Sequence, residues 1–151
     1  MKIIKCGALI VNHNYSKVLC ILSHNTCFNK EYKWGLPKGH KESYESIMQC
    51  CKREVYEEIG INLRLSGKNH PFIHIFDTRY YLFRFNNEGR YYPKDTKEVR
   101  KVRWKRIKDL ENYNKNRGLK AIIDSWDEIV KIFSNINQNN VKKYTNSNMG
   151  S

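Results

Sequence analysis

Apolar and polar positions along this chain alternate between two periods. Cys6-Gly7-Ala8-Leu9-Ile10-Val11 is a continuous apolar run closed by Asn12-His13-Asn14, and residues 17–22 form a second run. Both read as buried strands joined by a turn. Residues 23–33 are polar and turn-prone, which predicts a loop. Over residues 43–59 the period becomes helical, with Ile47, Met48, Cys51, Val55 and Ile59 on one stripe, Ser43 as the expected N-cap and Gly60 as the C-terminal cap. Strands are expected at residues 61–65, 72–76, 80–85 and 99–104, with a turn at 86–89 and with Tyr81, Phe83 and Phe85 on one face. A last helix over residues 119–133 would turn Ile122, Trp126, Ile129, Ile132 and Phe133 to the core. The pattern predicts a single α+β domain over residues 1–135 and a polar, fraying tail over 136–151.

The central helix carries a second stripe. At about 100° per residue, Glu54, Glu57 and Glu58 fall at roughly 0°, −60° and +40°, beside the apolar face. Carboxylates crowded in this way repel one another and lose solvation. A hard divalent cation would hold them, since Mg²⁺ takes oxygen ligands and keeps positions open for water and phosphate. Taken alone, the stripe reads first as a solvated acidic face paired with nearby lysines, the usual fate of charge runs.

Composition sharpens the contrast. The 151 residues hold 28 Lys plus Arg against 15 Asp plus Glu, a net charge of +13. Such a chain is steered toward polyanions, either nucleic acid or phosphorylated small molecules. No 18-residue apolar run is present, and the first residues lack the pattern of a secretory signal. The five cysteines, an odd number with Cys50 and Cys51 adjacent, suit reduced thiols in the cytoplasm. Cys20, His24 and Cys27 lack the paired short spacing of a zinc site, and Cys50 and Cys51 read as packing residues.

Gly39, five residues, Glu45, seven residues, then Arg53-Glu54-Val55-x-Glu57-Glu58-x-Gly60-Ile61 reproduces the nine fixed positions of the Nudix hydrolase signature over 23 residues. With its flanking strands and C-terminal helix, the chain resembles that superfamily over about residues 3–135. The resemblance implies the Nudix fold, a mixed β-sheet between helices with a catalytic strand–loop–helix motif. It implies hydrolysis of a nucleoside diphosphate linked to another moiety, with Mg²⁺ or Mn²⁺. Carried over by position, Glu54, Glu57, Glu58 and the Gly39 carbonyl would hold metal, one glutamate doubling as base. Arg53 would pair with Glu45 or a helix carboxylate. Glu98 matches the further glutamate on a later loop, although it also reads as a surface ion-pair partner.

The segments Trp34-Gly35-Leu36-Pro37-Lys38-Gly39 and 50–60 are most similar to mRNA decapping enzymes, both the eukaryotic catalytic domain and those of large DNA viruses. That similarity implies capped RNA as substrate and the cytoplasm, the host's for a virus, as location. Lys38 would reach a phosphate, and Lys97, Arg100, Lys101 and Arg103 would track an RNA backbone. Rings interleaved with arginines at 79–81, 84–85 and 90–92 are candidates for stacking on a methylated guanine, or for packing in the sheet. Cellular decapping enzymes have a helical regulatory domain ahead of the catalytic one. This chain begins near the first strand, so cap specificity is expected from the catalytic domain or a partner. Pro37-Lys38-Gly39-His40 with Glu42 also resembles diadenosine tetraphosphate hydrolases, and a lysine-lined pocket would suit diphosphoinositol polyphosphates. A phosphate-rich small molecule therefore stands as the alternative substrate, and a non-catalytic RNA-binding module as a further one.

Overall fold

The computed structural model describes residues 2–24 and 32–136. Two long strands, β1 (Lys5–Asn12) and β2 (Lys17–Ser23), follow the first two apolar runs and leave solvent almost completely. They touch as a ladder only at their turn end, Val11 opposite Val18, and then diverge. Two short strands fill the opening between them. β3 (Trp34–Gly35) pairs with β2, and β4 (Lys38–His40) pairs with β1. Neither was expected from the sequence, because strands this short carry no period of their own.

The helix α1 (Ile47–Ile59) follows β4. Its N-cap is Ser46 rather than the expected Ser43. The Ser46 hydroxyl accepts from the Gln49 N–H at 3.1 Å, and the Gln49 side chain accepts from the Ser46 N–H at 2.8 Å, a reciprocal capping box. Glu45 consequently lies outside the helix. Gly60 ends α1 as expected, in the left-handed region at φ 76°. The strand expected at residues 61–65 is absent. Ile61 and Leu63 alternate into the core as non-ladder chain, so the period arises from packing alone.

β5 (Phe72–Ile75), β6 (Thr78–Phe85) and β7 (Val99–Arg106) complete the seven-stranded mixed sheet. β6 runs parallel to β1 along its whole length, β5 pairs with β6, and β7 pairs with β2. A short turn of helix, α2 (Ile107–Leu110), leads to α3 (Arg117–Asp124) and α4 (Trp126–Asn135). The single C-terminal helix expected from the sequence is thus two helices, broken at Ser125, whose backbone leaves the helical region at φ −111°, ψ 21°. Ile122, Ile129 and Phe133 face the core as expected, while Ile132, on the same helix as Ile129 and Phe133, is 38% exposed at the edge of the apolar stripe.

The sheet is covered on both faces. One core joins Cys6, Ala8, Ile10, Leu19, Ile21, Tyr81, Phe83 and Phe85 to α1 through Cys50, Cys51, Val55 and Ile59. The other joins Leu9, Val11, Val18, Cys20 and Leu82 to α3 and α4. Each fully buried aliphatic or aromatic side chain contributes about 1.5–3 kcal/mol. This α+β sandwich is the expected architecture. Tyr80, Tyr81 and Phe85 are core residues, so they offer no face to a ligand, whereas Tyr92 is exposed. Cys20 is also in the core, Cys27 lies outside the described residues, and no helix among the described residues is long and apolar enough to cross a membrane.

His70 is buried beneath the sheet, its ring 4.6 Å from Phe83. Nδ1 accepts from the Ser66 N–H at 3.2 Å and Nε2–H donates to the Leu82 carbonyl at 3.0 Å, which fixes the neutral tautomer. Burial lowers its pKa, so the unfolded chain binds this proton first. The linked stability is complete above the unfolded value of about 6.5 and is lost as pH falls from there toward the native value, by up to about 1.4 kcal/mol per pH unit. Urea unfolding across this range is expected to show the slope in the native sequence and a shallower one in His70→Phe. An equal slope in both would assign the pH dependence elsewhere.

Candidate active site

The segment wedged between β1 and β2 sets the position of the acidic stripe. β4 holds Gly39 against β1, opposite Cys6, and α1 returns across it. A Cβ at Gly39 would collide with the Glu54 carboxylate, so only glycine lets the strand and the carboxylate lie this close. Glu54 and Glu58 are 8% and 6% exposed, and Glu57 is half-buried. The expected stripe therefore borders the core rather than open solvent.

Arg53 organises the helix side of the site. Its Nε donates to Glu45 Oε2 at 3.0 Å and Nη2 donates to Glu45 Oε1 at 2.6 Å, a two-pronged pair. Nη2 also donates to the His40 carbonyl at 3.0 Å, and Nη1 donates to Glu54 Oε1 at 2.8 Å and to Glu57 Oε2 at 3.5 Å. The Arg53 guanidinium holds the Glu45 carboxyl down at about 2. Glu58 contrasts with it. Its Oε1 accepts from the Lys38 N–H at 2.6 Å, yet burial pushes its carboxyl up to about 8, and burial raises Glu54 as well. Burial also lowers the Lys38 ammonium, with Lys5 nearby.

These groups line one cavity of about 480 Å³, which also takes in Lys5, Ser23, His40, Glu42, Asp95 and Glu98. Glu98 is brought to the α1 carboxylates by the turn before β7. There Asp95 Oδ1 accepts from the Lys97 and Glu98 N–H groups at 3.1 and 3.3 Å, and the His24 N–H donates to the Glu98 carbonyl at 2.8 Å. The N–H groups of Lys94 and Asp95 both donate to the Glu57 carbonyl at 2.9 Å, docking this turn on α1. Sequence reasoning missed Asp95 and Lys5. The Asp-x-Lys-Glu turn signal could have suggested Asp95, but nothing local marks Lys5.

The donor set is all oxygen, with two carboxylates nearly out of water, and that chemistry suits a hard cation. Among the described residues no three Asp, Glu, His or Cys side chains are drawn together tightly enough to hold a metal as they stand. Glutamate side chains rotate readily, and Gly39, Glu54, Glu57, Glu58, Asp95 and Glu98 are the residues within reach of such an ion.

The basic segment is divided. Lys97 is exposed beside Glu98. The β2–β7 register slips between Leu22 and Ser23, which leaves Arg100 as the extra residue of a bulge. Lys101, Arg103 and Lys105 stand opposite Leu22, Cys20 and Val18, and the latter two belong to the core under α3 and α4. These basic residues are thus directed to the sheet face away from α1.

The family model for the NUDIX domain matches residues 2–125. Two curated relatives are the mRNA decapping complex subunit 2 of Schizosaccharomyces pombe, 32% identical over 56% of this chain, and the m7GpppN-mRNA hydrolase dcap-2 of Caenorhabditis elegans, 29% identical over 69% of it. The chain spans only 12% and 14% of their respective lengths. Among solved structures, a C. elegans Ap4A hydrolase complex superposes with a TM-score of 0.60 at 18% identity, covering 84% of this chain and 98% of that one, a likeness of fold. The signature spacing, the covered mixed sheet and a family match across most of its length make this chain a Nudix hydrolase.

Proposed function

We propose that this Nudix hydrolase acts on capped RNA, releasing 7-methylguanosine diphosphate and 5′-monophosphate RNA. The carrying observation is the single cavity in which Glu54, Glu57, Glu58, Asp95 and Glu98 face Lys5 and Lys38, acid and base across one opening. Similarity to decapping proteins and the net charge of +13 favour RNA as the moiety outside it.

In this reading Glu54, Glu57, Glu58, Glu98 and the Gly39 carbonyl hold Mg²⁺ or Mn²⁺. When bound, the metal supplies neutralisation of phosphate charge and acidification of water. The chain's residues do the rest. Lys5 and Lys38 bind the non-bridging oxygens of the polyphosphate. Glu98 or Glu54 takes a proton from water as its oxygen bonds to phosphorus, and the bridging P–O bond breaks with its electrons leaving on the departing phosphate. Arg53 keeps Glu54 aligned through its 2.8 Å bond to the carboxylate.

A second reading rests on the cavity itself, whose size and paired lysines also suit a compact polyphosphate such as a dinucleoside polyphosphate or a diphosphoinositol. Cap-labelled RNA, cap analogue, diadenosine tetraphosphate and diphosphoinositol, each tested with Mg²⁺ and Mn²⁺, separate the two. Release of 7-methylguanosine diphosphate from RNA with the small compounds spared is the expected result. Fast turnover of a small compound with capped RNA intact would replace decapping by the second reading.

A further inference from the structure

We propose that Tyr32, Trp34 and Tyr113, with Arg100, Lys101 and Lys105, form a stacking platform for single-stranded RNA on the side of β7 away from α1. The Lys105 ammonium stands 4.3 Å from the Trp34 ring centroid and 4.8 Å from that of Tyr113. The Arg100 guanidinium lies 4.6 Å over the Tyr32 ring. The rings come from separate stretches of chain, and the backbone ties them together. The Trp34 N–H donates to the Asn114 carbonyl and the Asn116 N–H donates to the Trp34 carbonyl, both at 2.9 Å. The Asn114 side-chain amide donates to the Tyr32 carbonyl at 3.3 Å.

Tyr32 and Tyr113 are 45% and 42% exposed, so neither is a core residue. Trp34 is partly buried against the core, and each ring face described above carries a cation. Those cations are mobile stems ending in hydrated or planar charged heads, and each can leave its ring to meet a phosphate. A ring face released in this way, with a cation alongside, matches one nucleotide: the base stacks and the phosphate pairs. A neutral base fits better than a cationic one, because Arg100, Lys101 and Lys105 repel positive charge. An acidic peptide would meet the cations but leave the rings unused.

The location gives the platform a direction. β7 starts at Val99, next to Glu98 in the carboxylate cavity, and Lys105 lies six residues on, about 20 Å away in extended chain. An RNA whose 5′ end occupies the cavity can run along β7 to the rings. This direction rests on the capped-RNA reading, whereas the binding itself does not.

The test is a fluorescence-anisotropy titration of the full chain with a labelled, uncapped uridine oligonucleotide and no divalent metal. Tyr32→Ala and Tyr113→Ala are each expected to weaken binding about tenfold. Inorganic polyphosphate, which carries charge without bases, is expected to bind both variants as it binds the native chain. Tyr92→Ala, which removes an exposed ring elsewhere, is expected to change neither. The platform is overturned if the native chain does not bind RNA, if Tyr32→Ala and Tyr113→Ala both bind RNA as the native chain does, or if polyphosphate binding falls in parallel. Ring-dependent RNA binding in a chain that leaves capped RNA intact would remove the decapping reading and keep the platform. Decapping with ring-independent RNA affinity would do the reverse.

Discussion

Glu58→Gln is expected to lower turnover about a thousandfold, the result of losing several kcal/mol of charge stabilisation at the phosphates. The amide has the volume of the carboxylic acid, and its oxygen can still accept from the Lys38 N–H, the 2.6 Å bond that ties α1 to β4. The fold should therefore persist, with a thermal midpoint close to that of the native chain. Glu57→Gln makes a parallel case from a more exposed position whose contact with Arg53 is long, at 3.5 Å. Turnover and thermal unfolding measured on the same preparations distinguish lost chemistry from lost structure. Near-native turnover in both variants would remove these carboxylates from the reaction and leave the stripe a structural role only.

Arg53→Ala should act on both stability and rate. It strips the two-pronged partner from Glu45, whose side chain is only 5% exposed, and leaves that carboxylate buried without its counter-charge. The expected loss is about 2–3 kcal/mol of stability. The sign with pH follows from the lowered carboxyl. Native Glu45 titrates at about 2, below its unfolded value, so its contribution is present above the unfolded value of about 4.3 and is lost as pH falls toward 2. That acid-side slope should be shallower in the variant. Turnover should fall about 10- to 100-fold, because Glu54 loses its bond to Nη1 and its alignment. Arg53→Lys keeps the charge but not the fork that spans both Glu45 oxygens, so it should recover only part of either loss. Native stability with reduced rate in Arg53→Ala would mean that the arginine aligns Glu54 without supporting the fold.

Glu45 and Arg53 lie eight residues apart with a helix start between them, which is why local patterning misplaced the cap. Ser43 and Ser46 both satisfy a cap rule. The choice fell to Ser46 because only Gln49 can return the second hydrogen bond, while Glu45 turns back to accept from the Glu42 N–H at 2.8 Å. The break at Ser125 was hidden for a similar reason, since an apolar period can continue across a kink when both halves face the same sheet.

By itself the sequence determined what depends on near neighbours along the chain. The two apolar runs, the helical stripe with its adjoining glutamates and the Gly60 cap are set by side-chain size, period and backbone freedom within a turn or two. The nine-position signature belongs with them, because it is a spacing. Tertiary structure alone decided what depends on chain segments meeting. β1 and β2 diverge after one pair, and only that opening admits residues 34–40, which places Gly39 against Glu54. Lys5 comes into the cavity from the first strand and Asp95 from a turn docked on the Glu57 carbonyl, partners far away in sequence. The turn before β7 keeps Lys97 beside Glu98 at the cavity's edge, while the β2–β7 register sends Lys101, Arg103 and Lys105 to the far face of the sheet. Strand register fixes which way every second side chain points, and register is a property of the pair of strands that no single stretch of sequence contains.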